Sequence, residues 1–131
     1  MPAGHLSLGR AGEDAAVSLL TGQGYRVLAR NWRCKLGEVD IICAKSDLIV
    51  FVEVKTRGEN SLASGAEAVD KRKRAKIVAA ASEYLSGNGL WHRPCRFDVV
   101  SISRQGDDLR TEHLPDAFSA DSGSGKGWQP W

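Results

Sequence analysis

Cysteine is scarce in this chain: Cys34, Cys43 and Cys95 are three of 131 residues, an odd number with no C-x-x-C pair. That argues against a disulfide framework and a cysteine-rich zinc site, and points to a reducing cytoplasm. Long hydrophobic runs are missing too. Leu48-Ile49-Val50-Phe51-Val52 is only strand-length, far below the ~20 residues that a membrane-spanning helix needs. Met1 to His5 shows no basic start leading into an apolar run, so neither a secretory signal nor a membrane partner is expected. Neither charge dominates: eighteen Lys and Arg against sixteen Asp and Glu leave +2. Any dealings with nucleic acid must therefore come from where the charges sit. What remains is 42% hydrophobic and 26% charged, an ordinary globular composition with enough chain for one core.

Ser7 to Thr21 reads as a helix, with Ser7 as N-cap and an apolar stripe of Leu8, Ala11, Ala15 and Leu19 widened by Ala16 and Leu20. Gly22-Gln23-Gly24 stops it. Tyr25 to Trp32 alternates as a strand. Val39–Cys43 and Leu48–Val54, parted by Ala44-Lys45-Ser46-Asp47, read as a hairpin. Thr56 to Ser64 is a polar loop, and Gly65 to Leu85 a second helix with Ala68, the Lys71 stem, Ala75, Val78, Ala79 and Leu85 toward the core. Arg96 to Ser103 is a further strand, and beyond Gly106 the pattern fades. The expectation is one α/β domain over residues 1–118, a small mixed sheet with a central hairpin flanked by helices, and a flexible Gly/Ser-rich tail over 119–131.

The chemistry-bearing stretch is Gly37-Glu38-Val39-Asp40-Ile41-Ile42, followed by Phe51-Val52-Glu53-Val54-Lys55-Thr56-Arg57. With the hairpin turn centred between Ser46 and Asp47, paired residue numbers sum to 93, which sets Asp40 opposite Glu53 and Glu38 opposite Lys55. Val39, Ile41, Cys43, Val50, Val52 and Val54 then share the other face as a core side. Opposed carboxylates repel, and removing them from water costs several kcal/mol (roughly) unless something compensates. A divalent cation is one solution, since Mg²⁺ takes carboxylate, water and phosphate oxygens. The bland alternative is a surface hairpin with a Glu38–Lys55 cross-strand pair.

These segments resemble a known family. Asp40 and Glu53-Val54-Lys55 look like the motif of the PD-(D/E)xK nuclease superfamily, although no proline precedes Asp40. GRAGEDAA, GYRVLARNWRCKLGEVDII, FVEVKTR, EAVDKRKRAKI and RFDVVSI follow the order and spacing of the YraN-like (UPF0102) family, candidate endonucleases similar to Holliday-junction resolvases. The likeness covers roughly residues 6–103, and HLPDAF at 113–118 resembles the closing segment. It implies a restriction-endonuclease-like, resolvase-like core and Mg²⁺- or Mn²⁺-dependent hydrolysis of DNA, with branched or processed substrates and a homodimer among the family expectations. Asp40 and Glu53 would hold the metal with the Val54 carbonyl, Lys55 would serve the attacking water or the phosphate, Glu13 would complete the acidic site, and Glu38 would be auxiliary. A binding module without turnover, acting within a complex, is the alternative.

Lys71-Arg72-Lys73-Arg74-Ala75-Lys76 places five basic residues in six positions, a run suited to sequence-independent phosphate contacts. Lys71, Arg72 and Lys73, together with Arg57 and Arg33, are the candidate nucleic-acid-binding residues, with Glu67 and Asp70 as local partners for the run. Trp32 reads as a packed residue rather than a base-stacking platform. Gly9-x-x-Gly12 lacks the strand context of a dinucleotide fingerprint and reads as a place of close helix packing.

Overall fold

The computed structural model describes residues 4–57 and 70–120, with side chains from residue 9 onward. The elements run α1 (Gly4–Gly22), β1 (Arg26–Cys34), β2 (Gly37–Lys45), β3 (Leu48–Arg57), α2 (Lys71–Gly87), β4 (Cys95–Gln105) and β5 (Asp108–Phe118). The strands form one mixed sheet in sequence order, antiparallel except for β3 beside β4. That parallel step is the one joined through a helix, as parallel neighbours require.

Each face of the sheet carries one helix. Ala16 and Leu20 of α1 pack on Ile41, Cys43, Val50, Val52, Val100 and Ile102. Ile77, Val78, Ala81, Tyr84 and Leu85 of α2 pack on Ile42, Ile49, Phe51, Phe97 and Val99. Because both faces are covered, β3 reads as a near-continuous apolar run. Phe51, Phe97 and Phe118 stack across three strands on the α2 side, and Trp32 meets Tyr84 edge to face as a packed residue.

Several expectations need adjusting. Helix α1 begins at Gly4, so Ser7 lies inside it rather than capping it. Its buried line is Gly12, Ala16 and Leu20, while Ala11 is exposed. A Cβ on Gly12 would collide with Thr56 Cγ2, so that glycine does permit close packing, whereas Gly9 faces open space. Helix α2 runs from Lys71, where Asp70 has extended backbone and its side chain accepts the Lys73 N–H as N-cap. Lys71 is exposed, not on the core side. The expectations for 58–69 and for 121–131 lie outside the described residues. Strand β5 was hidden by its polar composition and by Pro115, both typical of an edge strand. Its signal was the two-residue Gly106-Asp107 turn, with Gly106 at φ 63° and Gln105 paired to Asp108.

One buried ionic cluster fastens β4 to β5 and to the end of α1. Asp98 is fully buried and accepts from Arg96 Nε and Nη2 (2.8 Å each) and from the Asp116 N–H (3.0 Å), while His113 Nε2 lies 2.7 Å away. Asp116 takes φ 54° at that bend. Arg96 also donates to Tyr25 Oη (2.7 Å), and its pKa is raised by Asp98 first and Tyr25 after it. Burial, then the Asp98 charge, pushes the Cys43 thiol up to about 12, so that it stays protonated and unreactive. Asp98→Ala leaves Arg96 and His113 without their shared anion and should lower stability by about 3 kcal/mol in urea unfolding; a loss below ~1 kcal/mol would show that the cluster is not a fastening.

Candidate metal and phosphate site

The β2–β3 pairing is Ile41–Val52, Ile42–Phe51, Cys43–Val50, Ala44–Ile49 and Lys45–Leu48, the register expected from the hairpin turn. The ladder stops at Ile41–Val52, where the next pair would bring Asp40 against Glu53. There the Val54 N–H donates to Asp40 Oδ2 at 2.8 Å, so a side chain takes a backbone donor.

The interruption has a second side. On β1 the pairing with β2 passes from Arg30–Ile41 to Trp32–Val39 and omits Asn31 and Asp40. Asn31 sits at φ 53°, a left-handed conformation that asparagine tolerates better than most residues. Both strands therefore kink at one level, and the alternation of faces slips. Val39 joins Ile42 and Trp32 on the α2 side, while Ile41 stays on the α1 side. The expected single face holding Val39 with Ile41 and Cys43 is thus corrected: strict alternation fails where the kink re-aims Asp40.

Glu53 is 4% exposed, with Oε2 3.6 Å from Lys55 Nζ and 3.3 Å from Lys73 Nζ. Asp40 is pushed up to about 7, by burial first, then by the Glu53 charge, with a side-chain hydrogen bond to Glu53 and the more distant Glu13 adding to it; the Val54 N–H opposes the rise. The two carboxyls therefore converge. Burial works against the Lys73 ammonium, but Glu53 outweighs it, with Asp40 and Glu38 contributing, and the pKa of Lys73 is raised. Among sequence candidates, the structure brings together Asp40, Glu53, Val54, Lys55 and Lys73.

Others stand apart. Glu13 on α1 accepts from Asn31 Nδ2 (3.1 Å) and Arg30 Nη2 (3.4 Å), turned toward the β1 kink. Glu38 pairs with Arg33 Nε at 3.2 Å rather than with Lys55. Arg57 ends β3 beside Ser103 of β4, and Lys71 and Arg72 are exposed on the first turn of α2. No group of three or more His, Cys, Asp or Glu side chains is arranged to hold a metal among the described residues. The donor set is thus two carboxyls and a strand end, which suits Mg²⁺ completed by water and phosphate oxygens. Sequence reasoning missed Asn31 and the Asp98 cluster; a polar Asn inside a strand pattern was the available sign of the kink.

A family model described as "Uncharacterised protein family UPF0102" matches residues 12–102. The chain belongs to this family. A UPF0102 protein of Nitratidesulfovibrio vulgaris strain DP4 is 44% identical over 126 residues, covering 94% of each chain. One from Moorella thermoacetica is 49% identical over 94 residues, 72% of this chain and 78% of its own. One from Myxococcus xanthus is 40% identical over 119 residues, 91% and 94% respectively. Among the described residues of this UPF0102 protein no helix is long and apolar enough to cross a membrane.

The raised Asp40 pKa has a sign that can be read out. The folded protein holds a proton that the unfolded chain releases, so this contribution is full below about pH 3.8 and is lost as pH rises through about 7. Glu53→Gln removes the nearby charge and should bring the Asp40 midpoint down toward the ordinary carboxylate range in an NMR titration. An unchanged midpoint would mean that the two carboxyls do not interact.

Proposed function

We propose that this UPF0102 protein is a divalent-metal-dependent nuclease with a restriction-endonuclease-like, resolvase-like core, acting on DNA in the cytoplasm. The observation that carries the reading is the convergence of Asp40 and Glu53 beside Lys55 and Lys73 at the end of an otherwise apolar hairpin. Buried paired carboxyls are expensive as structure alone, and a carboxyl perturbed by burial together with a charged neighbour is a functional-site candidate.

Asp40 and Glu53 would hold Mg²⁺ or Mn²⁺, with the Val54 carbonyl as a further oxygen. Such an ion supplies positive charge to a phosphodiester and acidity to water. The protein's own groups do the positioning. Lys55 reaches Glu53 from the same strand and Lys73 reaches it from α2, so both ammonium groups flank the acids and would offset the charge that a phosphate oxygen gains during hydrolysis. Glu53 holds the two lysines in place, and the Val54 N–H fixes one oxygen of Asp40. The exposed Lys71 and Arg72 and the strand-end Arg57 extend the positive surface away from the acids, for contacts to the backbone rather than the bases. Glu13 orients the β1 kink through Asn31 and is a positioning residue in this reading.

Purified protein with Mg²⁺ or Mn²⁺ should cut flaps, junctions, single strands or duplexes. Glu53→Gln should lower that rate by about 10³-fold or more, as loss of an electrostatic catalytic group does, while the unfolding midpoint stays within a few degrees. Equal cleavage by both proteins would contradict catalysis at this site. Salt-sensitive DNA binding that survives Glu53→Gln, with no cleavage by wild type, would instead support a non-catalytic binding module.

A further inference from the structure

Next to the paired acids lies a pocket of about 470 Å³ lined by Arg33, Cys34, Gly37, Glu38, Lys73 and Lys76. It is the seam between the β1–β2 turn and the first turns of α2. Gly37 lets the seam close tightly at its floor, since a Cβ there would stand 2.7 Å from the Lys76 carbonyl oxygen. Lys73 is the shared wall: it lines the pocket, yet its Nζ lies 3.3 Å from Glu53 Oε2. Three cationic side chains face one acid, Glu38, and Arg33 already pairs with that acid at 3.2 Å.

We propose that this pocket receives one nucleotide of a single-stranded DNA segment that flanks the phosphodiester at Asp40 and Glu53. The inference rests on the nuclease reading and adds a substrate class to it. Lys76 takes the flanking phosphate, since it is the cation of the pocket with no acid partner within ion-pair distance among the described residues. Glu38 keeps a second phosphate out by repulsion and offers an acceptor for a base N–H. A concavity of this volume admits one nucleotide and not a double helix. A paired nucleotide entering it must first unpair and unstack, whereas an unpaired one has no partner to give up.

The test is fluorescence anisotropy with a single-stranded DNA oligonucleotide and with the same sequence as a duplex, both without divalent cation so that nothing is cut. Lys76→Gln should weaken single-strand binding about fivefold at 0.1 M salt and lower the slope of log affinity on log salt by about 0.7, one phosphate's worth. Duplex affinity should change less than twofold. Bound single strand should also slow alkylation of the half-buried Cys34 thiol in wild type, read by peptide mapping. Equal weakening for both DNAs, no weakening, or unprotected Cys34 overturns the subsite while leaving cleavage by wild type as separate support for the nuclease reading. Failure of wild type to bind either DNA overturns the subsite, whereas failure to cut any DNA with Mg²⁺ or Mn²⁺ overturns the nuclease reading.

Discussion

Two carboxyls are set side by side where the β2–β3 ladder ends, and the surrounding structure is arranged to make that tolerable. Two like charges ~4 Å apart repel by roughly 4 kcal/mol at an effective dielectric constant of ~20. A single exposed ion pair, at about 0–1 kcal/mol, would not offset this. The protein answers with several groups at once: a backbone N–H on Asp40, a proton retained by Asp40 toward neutral pH, and two lysines on Glu53. A doubly charged ion would do the same work while leaving both acids ionised, which is why the arrangement reads as a site rather than as a surface ion pair.

The kink at Asn31 and Asp40 is what permits this juxtaposition in a sheet covered on both faces. By skipping one pair, the β1–β2 ladder turns Asp40 to the Val54 N–H and sends Val39 and Trp32 to the α2 core. Gly37 then lets α2 sit against the β1–β2 turn, and Lys73 from that helix reaches Glu53. One strand over from the acids, where Asp98 pairs with Val52, the Asp98 cluster fastens β4, β5 and the segment after α1, so the strand beside β3 is held independently of any ligand. Site geometry and core packing are two consequences of the same local break in alternation.

Much of the architecture was legible because apolar periodicity and turn residues agree: both helices, the hairpin and its register, and β4 all follow from pattern. The failures share a cause. Strand β5 is a polar edge whose partners come from β4 rather than from its own sequence, and Asn31 breaks a period that pattern reading assumes intact. Helix α2 takes its start at Lys71 from the capping side chain of Asp70, which a search for apolar periodicity does not weigh. At the site, residue types at strand spacing pointed to Asp40, Glu53 and Lys55, whereas the second lysine on Glu53 and the pairing of Glu38 with Arg33 depend on how a helix and a turn meet. Such tertiary placements leave no local trace.

The most direct measurement is a calorimetric titration of Mn²⁺ into the wild-type protein and Asp40→Asn at pH 6 and pH 8. If the carboxyls form one cation site, wild type binds the ion, binds it more tightly at pH 8 because binding displaces the Asp40 proton, and Asp40→Asn loses the binding together with its pH dependence. Binding that is unchanged in Asp40→Asn, or absent from wild type at both pH values, would contradict the account.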